Sequence, residues 1–251
     1  MPSLVTKATV VEGLRRLGLG PGDVVLVHSS LSSLGVVLGG AEAVVDALLE
    51  AVSPGGTVMV PTLTGSPLDR LRPPVFDPQR TPCWTGKIPE TFRRRPEASR
   101  SRHPTHSVAA IGPRAREFLE GHEYSETPCG PESPYGRLMR RGGKILFIGV
   151  DLRCNTSYHG LEEEAGAPYV VTKEPVEAKI VNPDGSVEVV KIKVHPWGIP
   201  RDFTITEPIL LEGGAMRMGL VGEAVCRLVD ARRMRELILP LLKRDPWFWV
   251  P

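Results

Sequence analysis

The chain has 251 residues, 41% hydrophobic and 24% charged, with a formal net charge of +2. That length and balance fit one globular domain and exclude a disordered or strongly polyanion-seeking protein, so neither nucleic acid nor membrane is an expected partner. No apolar run is long enough to span a bilayer, and MPSLVTKATV lacks a signal-peptide core, so a cytoplasmic location is expected. Cys83, Cys129, Cys154 and Cys226 are scattered without a CxxC pair, as expected of free thiols and not of a zinc ribbon or disulfide framework.

The elements follow in chain order. Thr6 to Leu17 carries Val10, Val11, Leu14 and Leu17 at helical spacing. Asp23 to His28 is a nearly continuous apolar run, which suits a strand buried on both faces. A Ser/Gly segment follows, then a helix over Ala41 to Val52, and a second buried strand over Thr57 to Thr62. This strand–helix–strand order predicts parallel neighbours in an α/β sheet. Gly65 to Thr85 reads as a long proline-rich loop, Ile88 to Arg95 as a helix, Ser107 to Ile111 as a strand and Pro113 to Gly121 as a helix. Tyr135 to Arg141 is a helix, Lys144 to Val150 the clearest strand, and Asn155 to Ala165 a helix capped by Asn155 or Thr156. Tyr169 to Val194 alternates in β fashion around the turn Asn182 to Gly185. A glycine-rich stretch, Glu212 to Gly222, precedes Glu223 to Val229, and Ala231 to Lys243 is a final helix. The fold expected is three-layer α/β/α with a central, mostly parallel sheet and an antiparallel β-hairpin region in the C-terminal third. Residues 1–251 form one domain, with a core over 1–165 and a β-rich subregion over 166–230.

Four segments could carry chemistry. HSSLSSLG, His28 to Gly35, follows a buried strand, where hydroxyls and close backbone N–H groups can meet a phosphate or an amide; an ordinary polar loop has the same composition. FRRRPEASRSRHPTHS, Phe92 to Ser107, holds five arginines, a candidate phosphate cluster or a solvated basic face. His103 and His106, with His159, Glu162 and His195, could be drawn as metal ligands, but HPTH is broken by proline and no HExxH spacing occurs. In NTSYHGLEEE, His159 and Glu162 lie three apart on one helical face, the arrangement in which a carboxylate orients a general base; the plainer alternative is a polar helix start. HPWGIPRD, His195 to Asp202, is either a loop over a cleft or a packed aromatic anchor.

Taken together, seven runs in order resemble the aminoglycoside 3-N-acetyltransferase family: GDVVLVHSSLSSLG, GGTVMVPTLTG, FDPQRTP, GKIPETFRRRP, SRHPTHSVAAIGP, SPYGRLMRRGGKILFIGV and NTSYHGLEE. They cover residues 5–165 well and the rest thinly. The resemblance implies acetyl-CoA as co-substrate and no metal. It implies coenzyme contacts from Ser29, Ser30, Leu31 and Ser32 and a cleft lined by Arg102, His103, Thr105, His106 and Ser107. It places the base on His159 and its orienting carboxylate on Glu162. Direct transfer to an amine of an aminoglycoside or similar small molecule follows, with Glu163, Trp197 and Asp202 as acceptor contacts; a homodimer is left open. The alternatives are a metal-dependent hydrolase built on His103, His106 and His159, or a non-catalytic coenzyme A-binding relative. Three departures from the family pattern stand out: Asp151 where glycine is expected, Cys83-Trp84-Thr85 where Ser-x-Met is usual, and a weakly acidic acceptor side. Residues 166–206 hold five acidic and five basic residues, a poor match for a polycation.

Overall fold

The computed structural model describes residues 4–251. After β1 (Leu4–Val5), α1 (Lys7–Leu17) starts where the Thr6 hydroxyl accepts the Thr9 N–H. It stops at Gly18, whose left-handed φ of +112° returns its N–H to Leu14 and Arg15. Then come β2 (Val24–Ser29), β3 (Val36–Val37), α2 (Gly40–Val52) and β4 (Thr57–Pro61). The long loop 62–86 contains only β5 (Val75–Phe76). It leads to α3 (Lys87–Phe92), β6 (Ser99–Arg100), β7 (Val108–Ile111), α4 (Ala115–Leu119), α5 (Pro134–Arg141), β8 (Lys144–Ile148) and α6 (Ser157–Ala165). The last third holds β9 (Val176–Val181), β10 (Val187–Ile192), α7 (Glu207–Glu212), β11 (Met216–Val221), β12 (Ala224–Asp230) and α8 (Ala231–Arg244).

Seven strands form one sheet in the order β11-β12-β8-β2-β4-β7-β6. Only the centre is parallel: β2 pairs parallel with β4 and with β8. The other four contacts are antiparallel, which corrects the expectation of a mostly parallel sheet. For two of the four the reason lies in the connection: β6 to β7 and β11 to β12 are joined by stretches too short for a crossover. The glycine-rich stretch before residue 223 also conceals a strand, β11. The 166–230 span therefore divides. β9 and β10 pair antiparallel around residues 182–186 and join β5 in a separate three-stranded sheet, whereas β11 and β12 extend the central one.

Alternation along the central strands feeds two cores. Val25, Val27, Val58, Val60, Leu146 and Ile148 pack with α1 and α2. Val24, Leu26, Met59, Ile145 and Phe147 face the other way, toward residues of α4, α5, α6 and α8. Each fully buried Val, Leu or Phe contributes roughly 1.5–3 kcal/mol, so the central strands are the most firmly held part of the chain. Since β2 has β4 on one side and β8 on the other, its carboxyl end is a topological switch point, where such sheets open a crevice. Among the described residues no helix is long and apolar enough to cross a membrane.

Candidate active site

A cavity of about 490 Å³ opens at that carboxyl end, lined by His28 and Ser29 of β2, Thr105 and His106, His159 of α6, and the segment Val194 to Ile199. Ser29 also lines a second, more open cleft with Ser30, Leu31, Ser32 and Lys87, so the two adjoin at that residue. Ser30 donates its N–H to Ile148 (2.9 Å) and accepts the Ser33 hydroxyl on its carbonyl (2.7 Å), folding the loop into one turn. That turn presses on Gly149, φ +62°, where a Cβ would fall 1.7 Å from Ser33 Oγ, so only glycine fits. Within the cavity wall, His28 Nε2 and Ser29 Oγ are buried without a protein partner among the described residues, hydrogen-bonding capacity left for a ligand.

α6 delivers the titratable groups. Asn155 Oδ1 accepts the Ser157 N–H at 3.2 Å, while Thr156 makes no side-chain cap. Of the two expected caps, Asn155 is therefore the one used. His159 Nδ1 and Glu162 Oε2 are 2.7 Å apart, and Glu162 Oε1 accepts from Arg201 Nε at 2.7 Å. Glu162 is fully buried. Burial pushes its carboxyl up, but the His159 and Arg201 partners outweigh that and hold it below the ordinary value. The opposing ring nitrogen of His159 is left for the cavity, in the geometry of an oriented base.

A second pair, which sequence spacing does not reveal, stands beside the first. Glu163 Oε1 meets His195 Nε2 at 2.7 Å and accepts the Cys129 N–H at 3.2 Å, while Oε2 takes the Thr127 hydroxyl. Burial raises Glu163 to about 8, only partly offset by Thr127 and Cys129, and the neighbouring Glu162 charge adds to the rise. The His195 ring lies 4.7 Å from both His159 and His106. Burial, together with His106, His159 and Arg201, keeps His195 well below its ordinary value, and burial pulls His106 to about 3.

The expected site residues divide on placement. Ser29, Ser30, Leu31, Ser32, Thr105, His106, His159 and Trp197 line the two openings. His103 and Ser107 lie buried behind the wall: His103 Nδ1 accepts the N–H groups of Thr105 and His106, and Ser107 bonds Thr62 and Arg100. Arg102 turns away from both openings to Glu123, Glu188 and Asn182. The other arginines of the cluster are also engaged, Arg93 and Arg94 with Glu90, Arg95 with Asp46, and Arg100 with Thr62, Ser107 and three backbone carbonyls. Every arginine of the cluster thus has a partner within the protein. Glu163 sits behind His195 and outside the lining, and Asp202 caps the turn over residues 203–206. The triad His103, His106 and His159 does not assemble. Among the described residues the one grouping of ligand-capable atoms within 4.8 Å is His106, Cys129 and His195. There burial and the nearby Glu163 and Glu162 raise the thiol well above its ordinary value. Lys87 and Arg201, neither expected as a contact, join the lining, as does Trp84, noted in the sequence only as a departure from the family pattern.

Known proteins resemble this chain over most of its length. The aminoglycoside 3-N-acetyltransferase family model matches residues 26–243. Aminoglycoside N(3)-acetyltransferase VIII of Streptomyces fradiae is 34% identical over 253 aligned residues, covering 90% of this chain and 88% of that one. The SPbeta prophage-derived aminoglycoside N(3')-acetyltransferase-like protein YokD of Bacillus subtilis is also 34% identical, over 89% and 87%. Among solved structures, a mutant of aminoglycoside acetyltransferase AAC(3)-IVa in complex with a gentamicin superposes with a TM-score of 0.86 at 31% identity, over 100% of this chain and 93% of that one. AAC-IIIb bound to coenzyme A gives 0.83 at 29%, over 96% and 97%. The chain belongs to the aminoglycoside 3-N-acetyltransferase family and is an acetyl-CoA-dependent, aminoglycoside-type N-acetyltransferase.

Proposed function

We propose that this family member moves the acetyl group of acetyl-CoA directly onto an amine of an aminoglycoside or similar small molecule. His159 acts as general base, oriented by Glu162. The observation that carries the reading is the 2.7 Å contact between His159 Nδ1 and a fully buried carboxylate, at the wall of the cavity that meets the Ser29 to Ser32 loop. In this reading the donor lies along the open cleft past Lys87 and the serines, and its thioester enters the cavity at Ser29. The acceptor occupies the far end, against the contacting pair Trp84 and Trp197, whose ring centroids are 6.3 Å apart. His159 takes a proton as the amine attacks the thioester carbonyl; the tetrahedral intermediate collapses to the amide and coenzyme A.

The cavity's charged lining is Asp69, Arg153 and Arg201. Arg153 is paired with Asp151 and Arg201 with Glu162, which leaves Asp69 as the one lining charge without an ionic partner among the described residues, a weak match for a polycation, so the acceptor proposed carries few positive charges. Coenzyme A release from acetyl-CoA across monoamines, polyamines and aminoglycosides tests this. Monoamines are expected to give the highest kcat/KM, and His159→Gln to lose about 10²–10⁴-fold in kcat while still binding acetyl-CoA. Full turnover in His159→Gln would remove that residue from the chemistry, and a preference for polycations would overturn the acceptor class.

A further inference from the structure

Acetyl transfer as proposed above moves two protons. One leaves the attacking nitrogen; the other must reach the departing sulfur, because an alkyl thiol ordinarily holds its proton at neutral pH. The structure offers a separate histidine–glutamate pair for each. We infer that His195, sharing a proton with Glu163, is the general acid that protonates the departing coenzyme A sulfur, while His159 with Glu162 serves as the base.

Geometry separates the two roles. Both histidines line the same cavity and their rings are 4.7 Å apart, yet each is anchored by its own glutamate on α6, at 2.7 Å in each case. Glu162 has a guanidinium on its other oxygen, Arg201 Nε at 2.7 Å, and stays ionised. Glu163 meets no cation: its other partners are the neutral Thr127 hydroxyl and Cys129 N–H. A buried carboxyl so placed retains its proton to about pH 8. Adjacent carboxyls with environments that drive them apart are the signature of an acid and a base working in one site. The titratable and charged groups around His195 are His106 and His103 from the 103–106 turn, Cys129, His159 and Glu162 from α6, and Arg201 from its own loop. The charges of Arg201 and Glu162 offset each other, and burial keeps His103 and His106 neutral.

The step balances. As the C–S bond breaks, its electron pair goes to sulfur, and the proton held by the pair passes through the His195 ring to that sulfur. The pair is left as glutamate and neutral imidazole. The proton that His159 took from the amine then replaces it, across the ring contact or through solvent. No oxidant, reductant or further reactant is needed.

The test is the pH dependence of the ratio of wild-type to His195→Gln kcat/KM with acetyl-CoA and the best amine of the panel. The ratio cancels the amine's own titration. It is expected to be about 10² at pH 7 and to shrink toward unity as pH rises through about 8, because the wild-type acid is itself lost there. Glu163→Gln, which leaves the imidazole in place, should give the same convergence. A ratio constant from about pH 6.5 to about 9.5 in both variants means that His195 only packs, and overturns the acid assignment. Wild-type protein that releases no coenzyme A with any amine overturns the transfer reading itself, so the two failures are distinguishable.

Discussion

The central sheet and the β5-β9-β10 arm contribute to one cavity by opposite means. The central strands are buried on both faces, and their ends fix His28 and Ser29 through sheet pairing to Phe147 and Ile148. The arm has its own small core of Phe76, Ala178, Ile180, Val190, Ile192 and Val194. It is tied to the body by polar contacts: Arg102 to Glu188, Lys193 to Glu126, and Arg100 over the Phe76 ring at 4.8 Å. The chain leaving the arm carries His195 and Trp197 into the cavity. Firm packing holds the loop proposed for the donor and the base, while the acceptor end hangs on a region whose attachments are ionic. Acceptor choice can thus change with little disturbance to the core.

Acid should break that comparison most severely. Five of the six histidines lie in ring contact along the seam: His122 to His103 at 4.7 Å, His103 to His106 at 6.0 Å, His106 to His195 at 4.7 Å and His195 to His159 at 4.7 Å. Burial pulls His106 and His122 to about 3, and His28 likewise. A neutral buried imidazole contributes stability above its ordinary value near 6.5, and that contribution is lost as pH falls from there toward 3, because only the unfolded chain takes up the proton. The loss approaches about 1.4 kcal/mol per pH unit per histidine once the unfolded chain is fully protonated. Three such residues give roughly 3 kcal/mol between about pH 6.5 and about pH 5.5. Denaturant midpoints at about pH 7.5, 6.5 and 5.5 should drop steeply over the second interval. A flat profile would mean that these rings are already hydrated, and the seam would not be the weak point.

How far the sequence could foresee this contrast depends on the range of each interaction. β2, β4 and β8 are visible because two-sided burial demands uninterrupted apolar runs. His159 and Glu162 are visible because one helical turn joins them. The Glu163–His195 pair spans 32 positions and a separate sheet, so nothing local announces it. Arg102 shows the converse case. Density of positive charge says nothing of which carboxylates the fold will bring to it, and here Glu123 and Glu188 arrive from distant segments. The direction of β7 was equally hidden, since strand pattern does not encode the sense of pairing.

Arg102 gives the intermediate effect. Its guanidinium lies 3.1 Å from Glu123 and 2.6 Å from Glu188, and Glu123 is buried. Arg102→Ala should cost about 1–3 kcal/mol, chiefly by leaving that carboxylate unpaired, read as a lower denaturation midpoint. The ratio of coenzyme A to dephospho-coenzyme A affinity should not change. Selective loss of coenzyme A affinity would place the 3′-phosphate at Arg102 and move the donor out of the Ser29 to Lys87 cleft.

Trp197 gives the smallest effect and the sharpest separation of the two ends. Trp84 is anchored by its Nε1–H to the Gly65 carbonyl at 3.0 Å. Trp197, half exposed, leans on Trp84 alone among aromatic rings. Removing it should leave the fold intact and take away an aromatic contact worth about 0.5–1.5 kcal/mol to whatever lies against it. Trp197→Ala should therefore raise KM for the amine by about 2- to 12-fold and leave KM for acetyl-CoA unchanged. A rise confined to acetyl-CoA would put the donor, not the acceptor, against the tryptophans. Because Trp84 belongs to the 62–86 loop and Trp197 to the chain leaving the arm, a rise confined to the amine would also show that acceptor recognition resides in the loosely attached region, with the base and its glutamate left undisturbed in α6.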